Sequence, residues 1–258
     1  MKSHSAVSIL LGLSAALVAA GLSGCVPRTP VPLETIRYDA GHGNGHRLLF
    51  VFLPGRGDPA TTFERNGLIA AVRERGLAAD MIAVNAHVGY YWNGSIVTRL
   101  KEDIINPAKT SGYDRIWLVG NSLGGYGSLA YAEEYVDDIS GMILLGPFVG
   151  DDKLITEIKR EGGLQPWSRG VVLTDPREDW GKRFWLWFKD CEQQKACFSK
   201  IHLGYGRGDR FSEGQGFLAS FLPPEQVIAV DGGHDWSTWK KLWRMFLDKN
   251  IVSPSPLP

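Results

Sequence analysis

The sequence lacks an excess of either charge, and no segment carries a long run of one sign. Lys plus Arg and Asp plus Glu both number 28 in 258 residues, so the formal net charge is zero. Proteins that bind nucleic acids present clustered basic residues. The charge balance therefore argues against a nucleic-acid partner.

Patterns that bind metals or nucleotides are also missing. The six histidines are scattered without the paired spacing of metal ligands. Neither a phosphate-loop lysine motif nor a Rossmann glycine fingerprint occurs, and the chain has no internal repeat. We therefore expect an activity that uses no metal and no other cofactor.

Cysteine is scarce, with three residues in the chain. Two of them, Cys191 and Cys197, lie in "KDCEQQKACF", a spacing that can close a small loop in an oxidising compartment. We expect a disulfide here, which would stabilise a local segment by roughly 2 kcal/mol. Two free buried thiols are the alternative.

The longest apolar run, "AVSILLGLSAALVAAGLSG", lies at the start of the chain. It follows Lys2 and ends in small residues, which is typical of a secretion signal over residues 1–24. A single membrane-spanning anchor is the alternative, although glycine and serine interrupt the run.

The junction "LSGC" resembles the lipobox at which bacterial lipoproteins are cleaved and lipidated on the cysteine. The resemblance implies a mature chain that begins at lipidated Cys25. Val26 stands where an aspartate would favour retention in the inner membrane, which implies the outer membrane, facing the periplasm. The prolines of "VPRTPVPLE" indicate an extended tether over residues 25–33.

After this tether, short apolar runs alternate with longer amphipathic stretches. This order predicts one α/β domain over residues 34–250, with a mostly parallel sheet and helices on both faces, followed by a C-terminal tail at 251–258. Strands are expected at 46–54, 79–85, 114–120, 141–148, 200–206 and 226–232, and helices at 61–76, 94–109, 123–136 and 235–250.

The segment from about residue 150 to 199 departs from this alternation, because it is rich in charged and aromatic residues and has no clear buried strand. We interpret it as an insertion. Its aromatic residues recur at helical spacing and would form one face, which either lines a pocket or packs against the body. These residues are Trp180, Phe184, Trp187 and Phe188.

One serine stands between glycines in "LVGNSLGGYGS". Because the chain contains 31 glycines, the pattern G-x-S-x-G alone is weak. Here, however, an apolar strand candidate precedes Ser122 and a helix candidate follows it. A strand, a sharp turn and a helix are what a nucleophilic serine at the edge of a sheet requires.

"GNSLGG" in this context resembles the nucleophile elbow of the α/β-hydrolase superfamily, and the order of strands and helices agrees from about residue 33 to 250. The segments "LGGYG" and "GGHDW" also resemble the corresponding segments of esterases related to esterase D. The resemblance implies an α/β-hydrolase fold, a cap formed by the insertion above Ser122, and the chain order nucleophile, acid, histidine.

Only His202 and His234 follow the serine in that order, and His202 falls inside a strand candidate. We therefore expect His234, in the loop after the last strand, to be the base. Asp209 follows the preceding strand and is the favoured acid. Asp231 and Asp235 are rivals, and Asp235 is better placed to cap the final helix.

The superfamily stabilises its oxyanion with backbone N–H groups, one of them from the residue after the nucleophile, here Leu123. The second donor normally follows an early strand, where this chain has "FLPGRGD" in place of the usual His-Gly. Arg56 is the matching donor, and Gly57 is the alternative. The Arg56 side chain could bind a carboxylate or phosphate on the substrate or could simply face solvent.

Together these features predict a lipid-anchored serine hydrolase of the carboxylesterase type, with Ser122, Asp209 and His234 as its triad. The expected partners are a small-molecule or lipid-like acyl substrate and the membrane, reached through the lipid anchor. A thioesterase, lipase, amidase or acyltransferase shares this constellation. A non-catalytic envelope-binding lipoprotein that retains the fold is the alternative of a different class.

Overall fold

The computed structural model of the protein describes residues 27–40, 47–175, 179–194 and 197–252. The predicted signal peptide, Cys25 and the end of the predicted tail lie outside these ranges. Within them, no helix combines the length and the apolar character needed to cross a membrane.

The core of the protein is a seven-stranded sheet with the strand order β1-β3-β2-β4-β5-β6-β7. Strand β1 runs antiparallel to β3, and every other neighbouring pair is parallel. The strands are β1 (Thr35–Tyr38), β2 (Arg47–Leu53), β3 (Ala79–Val84), β4 (Tyr113–Asn121), β5 (Gly141–Leu145), β6 (Ile201–Gly206) and β7 (Val227–Val230).

Both faces of this sheet are buried, which explains why its strands read as continuous apolar runs. Along β2, Leu49 and Val51 belong to one hydrophobic core, whereas Phe50 and Phe52 belong to the other. Because successive strand residues point to opposite faces, each face needs its own layer of helices.

Helices cover the two faces unequally. Helices α1, α2 and α11 pack over the face that carries Phe50, and most of the others pack over the face that carries Val51. The helices are α1 (Thr62–Arg65), α2 (Leu68–Glu74), α3 (Val88–Trp92), α4 (Ile96–Arg99), α5 (Asn106–Thr110), α6 (Leu123–Tyr135), α7 (Asp152–Arg160), α8 (Leu164–Ser168), α9 (Trp180–Gln194), α10 (Ser212–Ala219) and α11 (Trp236–Asp248).

The six predicted strands and the predicted covering helices are present, with three differences in detail. The edge strand β1 was not predicted, since its four residues show little apolar character. The helix expected at 61–76 is divided into α1 and α2 by Gly67, which has a φ of 77°. The helix expected at 94–109 contains a π-helical segment, Leu100–Ile105, between α4 and α5.

The described part of the predicted tether is held against the domain and does not have the unpaired backbone expected of a tether. The N–H of Leu33 donates to Asp103 Oδ2 at 2.8 Å, and the Tyr90 hydroxyl donates to the carbonyl of Pro30 at 2.8 Å. Leu33 itself is buried. Residues 27–33 therefore dock on α3 and the π-helical segment, because their carbonyls and one apolar side chain find partners there.

The insertion at 150–199 forms α7, α8 and α9. The predicted disulfide between Cys191 and Cys197 is present, with the two Cα atoms 5.9 Å apart. It ties the C-terminal part of α9 to the start of the segment that leads into β6. Phe184 and Phe188 of α9 are buried in the core, so packing accounts for these two members of the predicted aromatic face.

Candidate active site

Four loops meet at the carboxyl edge of the sheet, where strands of an α/β sheet present their ligand-binding loops. Strand β2 is followed by β3 on one side of it, whereas its other neighbour, β4, is followed by β5 on the far side. The loops after β2 and β4 therefore diverge at a topological switch point. Ser122 follows β4, Asp209 follows β6 and His234 follows β7, while Arg56 follows β2. The topology thus brings the sequence-predicted residues to one edge.

Ser122 occupies a sharp turn between β4 and α6. Its φ is 51° and its ψ is −116°, a sparsely populated conformation that costs on the order of 1–3 kcal/mol. Two of its backbone hydrogen bonds link it to β5 and the loop that follows: the Ser122 N–H donates to the Leu145 carbonyl at 3.2 Å, and the Phe148 N–H donates to the Ser122 carbonyl at 3.0 Å. Neighbouring β5 therefore sustains the strained turn.

The glycines beside Ser122 are required by close backbone approach. A Cβ on Gly124 would lie 1.9 Å from the carbonyl oxygen of Leu53, and a Cβ on Gly120 would lie 2.2 Å from the carbonyl oxygen of Gly124. No side chain fits in either position. The pattern G-x-S-x-G is thus a geometric demand of packing α6 against the ends of β2 and β4.

His234 forms the centre of a hydrogen-bonded chain of three side chains. Its Nε2 lies 2.8 Å from Ser122 Oγ, and its Nδ1 lies 2.7 Å from Asp209 Oδ2. The Asp209 side chain is fully buried and His234 is 9% exposed. This order, hydroxyl to imidazole to buried carboxylate, is the geometry of a general base that is oriented by an acid.

The loop after β6 prepares Asp209 for this contact. The Phe211 N–H donates to Asp209 Oδ1 at 2.8 Å, which leaves Oδ2 directed at His234. The rival carboxylates lie elsewhere: Asp231 is exposed and pairs with Arg207, and Asp235 caps α11 by accepting from the N–H of Thr238.

The imidazole of His234 is also positioned by two aromatic rings. The rings of Phe211 and Trp239 each lie 5.0 Å from it, nearly perpendicular to its plane. Edge-to-face contacts of this kind restrict rotation of a ring without occupying its nitrogen atoms. Both nitrogens of His234 consequently stay available for Ser122 and Asp209.

His202, the other histidine downstream of Ser122, is part of the core. His202 lies on β6, and its ring packs between the rings of Trp117 and Phe246. Burial, with a smaller effect from the charge of Lys249, lowers the pKa of His202 to about 4. It is therefore neutral at pH 7 and takes no part in the hydrogen-bonded chain.

The loop after β2 makes a tight turn beside Ser122. The Asp58 N–H donates to the Gly55 carbonyl at 3.1 Å, and Gly57 has a φ of 87°, which a type II turn requires at its third position. A Cβ on Gly55 would lie 3.3 Å from Ser122 Cβ. This turn and Leu123, the first residue of α6, thus lie beside the serine.

Asp58, which sequence reasoning did not single out, connects this turn to the histidine loop. Its Oδ2 accepts a hydrogen bond from the Trp236 indole N–H at 3.2 Å. Burial raises the pKa of the Asp58 carboxyl, and the hydrogen bond from Trp236 acts against that rise. The carboxyl group therefore holds the β2 loop and the first residue of α11 together behind the site.

Ser122 opens into a cavity of about 300 Å³. Four aromatic residues line it, and one of them, Trp180, belongs to the insertion. Two arginines complete the lining. The lining includes Trp92, Phe148, Trp180, Phe211, Arg56 and Arg210.

A second cavity of about 740 Å³ adjoins the first, since Trp92 and Trp180 line both. Tyr126 stacks on Trp180 in its wall, with ring centroids 5.4 Å apart. Burial raises the pKa of Tyr126 to about 12, so its hydroxyl stays protonated. Glu134 and Arg183 also line this second cavity.

Sequence reasoning missed Trp92, Phe148, Arg210 and Phe211 as cavity residues. Arg210 and Phe211 directly follow Asp209, so their position after a strand could have indicated them. Trp92 lies on a covering helix and has no such signal. Among the described residues, no group of three His, Cys, Asp or Glu side chains lies close enough to hold a metal ion.

Comparisons with known proteins agree with this architecture. A sequence profile described as alpha/beta hydrolase fold matches residues 100–185. An S-formylglutathione hydrolase from Staphylococcus aureus is similar in structure, with a TM-score of 0.60 at 13% identity over 88% of this chain and 100% of that chain. No curated protein matches the sequence.

Two other solved structures have similar folds. A fluorophosphonate-binding serine hydrolase from Staphylococcus aureus has a TM-score of 0.62 at 13% identity, over 88% of this chain and 96% of its own. A monoacylglycerol lipase from Paleococcus ferrophilus has a TM-score of 0.51 at 16% identity, over 85% of this chain and 98% of its own. The chain thus has the α/β-hydrolase fold.

Proposed function

We propose that this protein is a serine hydrolase that cleaves carboxylic esters. The observation that carries the proposal is the chain of hydrogen bonds from Ser122 Oγ through His234 to the buried carboxylate of Asp209. A fold shared with a fluorophosphonate-binding serine hydrolase and a monoacylglycerol lipase supports it.

In the proposed reaction, Ser122 Oγ attacks the acyl carbon while His234 Nε2 accepts the hydroxyl proton. Asp209 holds the imidazole in the tautomer whose Nε2 is free to accept, and it stabilises the imidazolium that results. The imidazolium then protonates the leaving alcohol, which departs and leaves an acyl-enzyme. Water, activated by His234, releases the acid and restores Ser122.

The oxyanion of the tetrahedral intermediate would be stabilised by backbone N–H groups. We assign one to Leu123, at the N-terminus of α6, and the other to the turn after β2, from Arg56 or Gly57. The close approach of Gly55 to Ser122 supports the second assignment.

Labelling of the full-length protein with a fluorophosphonate tests the proposal. We expect one covalent adduct on Ser122, and no adduct in Ser122→Ala. A folded protein that fails to react would contradict the enzyme and favour a binding protein that retains the fold. Hydrolysis of chromogenic esters, thioesters and amides of equal acyl length would then show which acyl bond is preferred.

We also propose that Cys25 is lipidated and anchors the protein to the outer membrane. The support is the sequence "LSGC" at the end of an apolar N-terminal run. Cys25→Ser should abolish incorporation of labelled fatty acid and release the protein from membranes. Unchanged membrane retention of this variant would count against the anchor.

A further inference from the structure

The cavity that contains Ser122 is locally positive in a protein with no net charge. Among the described residues, Arg56 and Arg210 line it, and no aspartate or glutamate does. The whole chain balances 28 basic against 28 acidic residues. Two arginines at the same cavity are therefore a local feature and do not reflect a generally basic surface.

Neither guanidinium is neutralised by an acidic side chain of the described residues. Within the ranges that the structure describes, no salt bridge involves Arg56 or Arg210, whereas nearby Arg207 pairs with Asp231 at 3.3 Å. The adjoining larger cavity differs, because two acidic residues, Glu134 and Asp175, line it together with Arg183. The charged residues described in the lining are therefore mostly acidic in the larger cavity and basic in the cavity of Ser122, which distinguishes what each can bind.

Both arginines are connected to the reacting groups. The Arg210 guanidinium lies 5.0 Å from the centroid of the Phe211 ring, and Phe211 in turn contacts the ring of His234. Arg56 belongs to the turn whose Gly55 approaches Ser122. The two residues thus line the cavity from different loops, one after β2 and one after β6, and both are exposed, so a dissolved anion can reach them.

We infer that the substrate of this site is an ester that carries an anionic group, a carboxylate or phosphate, which Arg56 and Arg210 bind while Ser122 attacks the ester. The inference rests on the proposed function. Arginine suits the task because its planar guanidinium binds such anions with two parallel hydrogen bonds and keeps its charge at all physiological pH values. The anion can lie on the acyl or on the alcohol side.

Matched ester pairs test this inference and distinguish the two sides. For the acyl side, 4-nitrophenyl hemisuccinate is compared with the neutral 4-nitrophenyl levulinate. For the alcohol side, the butyrate ester of 3-hydroxybenzoate is compared with that of 3-hydroxybenzamide. We expect at least one anionic ester to have a kcat/KM about tenfold above its neutral partner.

Variants of the two arginines test whether they cause the preference for anionic esters. Arg210→Gln and Arg56→Gln should each lower the anionic-to-neutral ratio of kcat/KM, and the double variant should bring it near one. Arg207→Gln is the control, because it removes the same charge from the same loop without lining the cavity. A ratio near one for both ester pairs in the wild-type protein would overturn the inference, as would an equal effect of Arg207→Gln.

A binding measurement separates this inference from the proposed reaction. In Ser122→Ala, calorimetric titration with the same four esters gives dissociation constants without turnover. A dissociation constant about tenfold lower for an anionic ester supports the arginine site even if the wild-type protein hydrolyses nothing. Equal constants within both pairs refute the site even if neutral esters are hydrolysed.

Discussion

The Nε2 atom of His234 lies 2.8 Å from Ser122 Oγ, although 112 residues separate the two in the chain. Two different loops bring them together, one after β4 and one after β7. The strained turn of Ser122 and the ring contacts of His234 restrict each side chain separately. The contact therefore depends on the relative position of these two loops at the edge of the sheet.

The choice of acid is tested by comparing Asp209→Asn with Asp231→Asn. Asp209→Asn should lower kcat by about a thousandfold or more, because an amide cannot hold His234 in the required tautomer. Asp231→Asn should change kcat by less than about twofold, because its side chain is exposed and pairs only with Arg207 at the surface. Steady-state kinetics with one chromogenic ester measures kcat for both variants, and equal losses of kcat would contradict the assignment of Asp209 as the acid.

Gly124→Ala should destabilise the elbow. The added Cβ would meet the Leu53 carbonyl at 1.9 Å, so we expect the free energy of unfolding to fall by about 3 kcal/mol or more. Gly216→Ala, in α10, is the control, since the atom nearest to the added Cβ would be Tyr205 Oη at 3.8 Å. There we expect a gain of about 0.5–1 kcal/mol. Urea denaturation of both variants measures the difference.

His202 should make the fold sensitive to acid. Its pKa is 6.5 when unperturbed and about 4 in the folded protein. Between these pH values the unfolded chain binds one more proton at this position, so stability is complete above pH 6.5 and falls as the pH drops towards 4. The loss is up to about 3 kcal/mol.

Replacement of His202 by leucine removes the imidazole that binds a proton when the chain unfolds. Other titrating groups contribute equally to both proteins, so the difference between their free energies of unfolding isolates His202. We expect the difference to change with pH only below about pH 6.5. Parallel curves for the two proteins from neutral to acidic pH would show that His202 does not titrate on unfolding.

The disulfide should stabilise the C-terminal part of the insertion and leave the rest of the domain intact. Cys191→Ser with Cys197→Ser should lower the free energy of unfolding by roughly 2 kcal/mol, because the bond closes a short loop. A thiol reductant should destabilise the wild-type protein similarly and leave the double variant unaffected. A reductant effect on the double variant would assign the stabilisation to another cause.

Much of this molecule could be predicted from local patterns in its sequence. Six strands, the elbow at Ser122 and the loop position of His234 follow from hydrophobic runs and the residues that end them. The demands on these positions are local: a strand buried on both faces must be apolar, and a sharp turn against a helix excludes side chains at Gly120 and Gly124.

Other features depend on side chains that are distant in sequence. Asp209 and Asp231 both follow strands, and only the folded loops direct Asp209 at His234 while exposing Asp231. Asp58 likewise gains its role from Trp236, which is 178 residues away. Position in the sequence favours Asp209 over Asp231, but it does not show which side-chain atoms meet.

The sequence by itself determined the class of fold and the serine and histidine to examine, because periodicity and turn chemistry act over a few residues. Only the tertiary structure decided that Trp180 lines the cavity while Phe184 is buried, and that Arg56 and Arg210 share the cavity of Ser122. The physical reason is that a cavity is formed by loops from separate strands, and their meeting at one sheet edge is set by the packing of the whole domain.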